Sequence, residues 1–229
     1  MREPRFISRE RMEALTERIL SEFGFDPHHK MIRPVPIEEI VEFHFDLHIG
    51  WEPIDHLDRD GEVMAAILPT EKRIILNETY RDLFEKKIGT YHFTLAHELG
   101  HWVLHAAGAP HLLRSREGGS GEAVTAPSAA TYYCRSPFRK PVEEVQADLF
   151  AGCLLMPRPM VERAVGQLTR MGLVQLSQLY RLADCFRVSI SALSVRLTQL
   201  QLLNIDADGR VSRPGSGGSG KYEQLMLEL

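Results

Sequence analysis

Five residues constrain this chain more than any others: His97-Glu98-Leu99-Gly100-His101. On a helix, histidines at i and i+4 lie on one face about one turn apart. Both imidazoles can then reach one divalent cation, and zinc accepts neutral imidazole readily. Glu98 projects beside that cation, where it can hold a water. The pattern alone arises by chance in many chains, but three neighbouring features give it weight. Phe93, Leu95, Ala96, Leu99, Trp102, Val103 and Leu104 make the helix apolar around much of its girth, so a charged, histidine-rich turn in it is costly unless compensated. Gly100 sits mid-helix, where glycine costs about 1 kcal/mol against alanine, which a close approach of backbone or substrate would explain. Downstream, Glu144 and Asp148 stand at i and i+4 of a second helical segment. One carboxylate can be a third ligand, and the other can accept the free N–H of a ligand histidine. Three protein ligands leave a fourth position open, the mark of a catalytic rather than a structural site.

Around this motif the pattern is mixed. Residues 8–23 read as an amphipathic helix with Ser8 as N-cap and Gly24 as stop. Pro36 opens a short helix with Ile37, Ile40 and Val41 inward. Strand-like runs follow at 48–51, 61–68 and 73–77, the last two joined by a hairpin turn at 69–72. Helices are expected at 79–86 and 90–105, and then at 143–155, 159–171, 175–186 and 191–203. Between them, residues 106–140 carry Gly118-Gly119-Ser120-Gly121 and little periodicity, as a long functional or disordered loop does. The expected fold class is α+β: a small, mainly antiparallel sheet packed on the motif helix and its partner helix, then a helical C-terminal part. The expected division is 1–157, 158–208 and a flexible, Gly/Ser-rich tail at 209–229.

The totals exclude some classes. No apolar run approaches the ~20 residues of a membrane helix, and no apolar stretch follows the N-terminal charges, so no signal peptide is expected and the cytoplasm is the default compartment. Three cysteines, Cys134, Cys153 and Cys185, with no paired spacing, argue against disulfides or a cysteine zinc site. Cys153 and Cys185 read as small core residues. The net charge of -4 gives no general pull toward nucleic acid, although residues 158–213 hold eight arginines against four acids.

Thr94-Leu95-Ala96-His97-Glu98-Leu99-Gly100-His101, with Glu144-Val145-Gln146-Ala147-Asp148-Leu149-Phe150-Ala151 and Leu154-Leu155-Met156-Pro157, resembles the ImmA/IrrE metallopeptidases over roughly residues 30–205. Two blocks separated by a variable loop make the resemblance specific. It implies one zinc per chain on His97, His101 and Glu144, with Glu98 as general base. Manganese suits the same ligand set. The Glu-x-x-x-Asp spacing also resembles gluzincin peptidases, which implies that Asp148 orients a ligand histidine. Glu143 is the rival to Glu144, but it lies about 100° round the helix, and Glu144 shares a face with Asp148. The resemblance further implies a site-specific endopeptidase whose substrate is a helix-turn-helix repressor, cut under stress to alter transcription.

In such a reaction Glu98 takes a proton from water and hands it to the leaving amine, and the tetrahedral oxyanion needs a donor. Tyr91, His105, Tyr132, Tyr133 and Arg135 are candidates. For His105 the simpler reading is a solvent-facing histidine near a helix end. The strands at 61–68 and 73–77 offer an edge to which an extended peptide can add. Residues 179–200 look like a helix-turn-helix with its turn at Val188-Ser189 and Ser189 or Ser191 as cap. The rival function is therefore a DNA-binding or protein-interaction regulator with a non-catalytic core. The candidate recognition helix holds one basic residue, Arg196, whereas phosphate contact needs several. A packing role is favoured over DNA binding.

Overall fold

The computed structural model describes residues 7–57, 63–106, 132–133 (backbone only), 141–206 and 208–213. The chain opens with α1 (Arg9–Phe23), where the Ser8 hydroxyl accepts from the Arg11 N–H and Gly24 closes the helix at φ 87°. Then α2 (Ile37–Glu39) runs into one π-helical stretch, Ile40–His44. Three strands follow: β1 (His48–Glu52), β2 (Ala65–Leu68) and β3 (Arg73–Asn77). After α3 (Arg81–Lys86) comes α4 (Ile88–His105), the helix of the His97–His101 motif. Next are β4 (Tyr132–Tyr133), α5 (Val142–Leu155), α6 (Arg158–Arg170), α7 (Leu176–Phe186) and α8 (Ile190–Gln199), then a small hairpin of β5 (Asn204–Ile205) and β6 (Val211–Ser212).

The fold is α+β, as expected. The sheet order is β1-β3-β2-β4, with β1 parallel to β3 and the other pairs antiparallel. Strand alternation divides the sheet faces. Ala65, Ile67, Ile74 and Leu76 join the main core, to which α1, α4 and α5 also contribute. Ala66 and Ile75 face a second, smaller cluster with Ile54 and Val63. The main core runs without a break across residue 157, since Met160, Leu179, Phe186, Leu193 and Leu197 belong to it.

Several details differ from the sequence reading. The second strand starts at Ala65, and residues 61–62 lie outside the described residues. The edge of β2 carries β4, through Ala66 opposite Tyr133 and Ile67 opposite Tyr132. Residues 209–213, expected in the tail, include strand β6. Helix α8 stops at Gln199, and Gln201 turns the chain at φ 55° so that Leu203 returns to the core. Cys153 is buried as expected, but Cys185 is exposed, because the buried stripe of α7 runs through Leu179, Leu182, Ala183 and Phe186 instead. Cys134 lies outside the described residues.

Candidate metal centre

Helices α4 and α5 pack against each other and bring the two sequence blocks face to face. Gly100 makes this possible. A β-carbon there would stand 3.1 Å from Phe150 Cδ1, 3.2 Å from Ala147 Cα and 3.3 Å from the Ala147 carbonyl oxygen, so close backbone approach explains its mid-helix glycine. Ala147 lies one turn after Glu144 on α5. The glycine thus sets the distance at which Glu144 meets the two histidines.

His97, His101 and Glu144 are all buried, and their potential ligand atoms lie within 4.8 Å of one another. The Nε2 atoms of His97 and His101 are 3.0 Å apart. Glu144 Oε2 lies 3.2 Å from His97 Nε2, and Oε1 lies 3.3 Å from His101 Nε2. Ligand atoms about 2.0–2.1 Å from a tetrahedral zinc lie about 3.3 Å apart. Each contact is near that spacing, the two carboxylate contacts being made by different oxygens of Glu144, and the cluster is compact enough for one such ion. Two imidazole nitrogens aimed at each other at this range also require a proton or a cation between them. His97 Nδ1 is 2.9 Å from Asp148 Oδ1, which makes Nδ1 the protonated nitrogen and leaves the Nε2 lone pair for the shared centre. Glu143 is only half-buried and is absent from the cluster, as its position round the helix requires.

The electrostatics fit a cation site. Burial opposes charge on His97, but its contacts with Asp148 and Glu144 and the nearby charge of Glu98 outweigh burial and hold its pKa well above the usual value. Glu144 is also opposed by burial, yet hydrogen bonds with His101 and His97 bring it down to about 2. Glu98 is 1% exposed. Burial lifts its pKa, while the charges of His97 and His101 and the Ile67 backbone N–H pull it back. Its Oε2 has no hydrogen-bond partner among the described residues. The Ile67 contact was not legible beforehand, because a main-chain group carries no residue signature.

The remaining candidates are dispersed. The Tyr91 hydroxyl donates to Glu38 of the second helix, and its ring stacks on Trp51, two turns before Glu98 and outside the ligand cluster. His105 is half-buried, not solvent-facing. Its ring lies 5.7 Å from that of His101 and meets the Glu143 backbone. Burial, and then the His101 charge, bring its pKa down to about 4. Tyr132 and Tyr133 are placed by their backbone in β4, and their side chains lie outside the described structure, as does all of Arg135.

Arg196 takes a place that its sequence context did not suggest. It is 1% exposed and donates to both Glu13 carboxylate oxygens (2.7 and 2.8 Å) and to the Met156 carbonyl (3.0 Å). The only basic side chain of α8 therefore points into the protein. No helix among the described residues is long and apolar enough to cross a membrane.

No curated protein matches the chain. Residues 47–198, from the residue before β1 to the last but one residue of α8, match the family profile Peptidase_M78, described as the IrrE N-terminal-like domain. The match spans both ligand helices and two thirds of the chain, and the protein belongs to that family.

Proposed function

We propose that the protein is a zinc-dependent endopeptidase. The observation that carries this reading is the convergence of His97, His101 and Glu144 beside the buried Glu98 carboxylate. Zinc held by those three ligands supplies Lewis acidity toward a water and a scissile carbonyl. The chain's own residues do the rest. Glu98 accepts a proton from the attacking water on its unpartnered oxygen and delivers it to the leaving amine. Burial makes this carboxylate a stronger base than an exposed one, and the Ile67 backbone beside it opposes that rise. Asp148 holds the His97 ring in the tautomer that presents Nε2. Manganese is the second choice of ion for these ligands.

The substrate proposed is a cytoplasmic helix-turn-helix repressor whose cleavage alters transcription under stress. That class rests on the resemblance of the His97–His101 and Glu144–Pro157 blocks to the ImmA/IrrE metallopeptidases. Direct DNA binding is not favoured, because Arg196 on α8 is engaged by Glu13 and Met156. Glu98→Gln tests the reaction. The variant is expected to bind zinc as the wild type does and to leave a repressor substrate intact over the time in which zinc-loaded wild type cuts it, as read by mass spectrometry. Wild-type cleavage by Glu98→Gln would remove the general-base role, and wild-type protein that binds no zinc would remove the enzyme reading.

A further inference from the structure

The helix-turn-helix-like unit touches both ligand-bearing helices. Its turn, Arg187 to Ser189, is rigidly built. Arg187 caps α7 at φ 53° with its N–H on Ala183 and Asp184, and the Ser189 hydroxyl caps α8 by accepting from the Ala192 N–H at 3.0 Å. This turn is pressed into the first turns of α4. A β-carbon on Gly89 would lie 2.5 Å from the Val188 carbonyl carbon, 2.6 Å from Ser189 N and 2.9 Å from Val188 Cα. All three atoms are backbone, so no side-chain rotation would admit it.

One turn further along α4, His92 is 5% exposed and its ring meets the Arg187 backbone. Its Nδ1 has no hydrogen-bond partner among the described residues, which leaves Nε2 as the ring nitrogen that can face Arg187. A buried imidazole with one orphan nitrogen is a poor way to stabilise a core, where an apolar side chain avoids the desolvation cost. It is a good way to fix the rotation of a helix, because a directional contact with the Arg187 backbone is met at a single setting. The same unit grips α5 from the other side. Arg196 donates to the carbonyl of Met156, the residue that caps α5, and to Cys153 Sγ within α5.

We propose that the Arg187–Ser189 turn is a positioning element for the metal centre, with Gly89 and His92 as its positioning residues on α4. The proposal rests on the metal-site reading above. Seating on the turn fixes the depth and rotation of α4 while Arg196 fixes the end of α5. The His97/His101 pair and Glu144 are thereby held at the separations that one ion requires. The helix-turn-helix-like unit then serves the peptidase core through its turn, the part that a DNA reader leaves for the duplex-facing geometry of its second helix.

The test uses the full chain loaded with Co²⁺, whose visible absorption reports ligand geometry, together with zinc affinity by chelator competition. His92→Ala and Gly89→Ala are expected to change the Co²⁺ spectrum and weaken zinc binding about tenfold or more, with the far-ultraviolet circular dichroism of the wild type. His92→Gln, which keeps a donor near the Nε2 position, is expected to restore the spectrum. Leu203→Ala, a core truncation away from the turn, is expected to lower the melting temperature and leave the spectrum unchanged. If Gly89→Ala does not fold, the His92 pair decides. A wild-type spectrum and affinity in His92→Ala, or a change as large in Leu203→Ala, would overturn the proposal. Wild-type protein that binds no Co²⁺ would instead overturn the metal-site reading beneath it.

Discussion

Gly100→Ala isolates what the close packing of α4 and α5 does for the site. The added methyl would meet Ala147 Cα at 3.2 Å and its carbonyl oxygen at 3.3 Å, against about 3.5–4.0 Å for ordinary carbon contacts. Phe150 Cδ1, at 3.1 Å, can move by side-chain rotation, but the Ala147 atoms are backbone. Relief therefore requires α5 itself to retreat by a few tenths of an ångström. Helix propensity favours alanine by about 1 kcal/mol, and overpacking costs about 1–3 kcal/mol, so the net loss of stability is small, about 0–2 kcal/mol. The site is less forgiving, because Glu144 travels with Ala147 and small misplacements of a ligand are expensive. The expected outcome is a 10- to 100-fold loss of zinc affinity in a folded protein, read by chelator competition beside urea unfolding of the metal-free form. A variant about 1 kcal/mol more stable than wild type with unchanged zinc affinity would refute the reasoning, since propensity alone would then account for the site.

Asp148→Ala removes the acceptor on His97 Nδ1 and is expected to cost about 10- to 100-fold in zinc affinity, measured by the same competition. Arg196→Met leaves Glu13 without its bidentate partner and is expected to destabilise the chain by about 3–5 kcal/mol in urea unfolding, whereas adding Glu13→Gln should recover much of that loss. The His105 pKa, lowered to about 4 mainly by burial, lies below the unfolded value of about 6.5. The folded state then binds fewer protons, so this residue costs stability as pH falls from about 6.5 toward 4. In metal-free protein, His105→Gln should therefore gain melting temperature relative to wild type at pH 5 compared with pH 7.5, and an equal difference at both pH values would refute the assignment.

The parts of the site that are local in sequence were legible. The i, i+4 spacing of His97 with His101 and of Glu144 with Asp148 is a consequence of helix geometry, and Gly100 was itself a sign of close approach. What depended on distant packing was not. An arginine on an amphipathic helix reads as surface, and the Glu13 carboxylate, 183 residues away in sequence, makes a buried Arg196 tolerable together with the Met156 carbonyl. His105 reads as an exposed helix end until the start of α5 is placed over it. The parallel pairing of β1 with β3 and the seating of β4 on β2 depend on register between remote segments, which no short-range pattern encodes.

The place of β4 has a kinetic consequence. Ile67, whose backbone acts on Glu98, is paired with Tyr132 of the same chain. A peptide that adds to this edge of β2 competes with a strand of the same chain, and intramolecular competitors reach effective concentrations on the order of millimolar. Weak, nonspecific peptides at micromolar levels lose that competition, whereas a substrate with further contacts elsewhere on the protein wins it. Selectivity could thus arise from a self-supplied competitor at the edge as well as from the shape of a pocket.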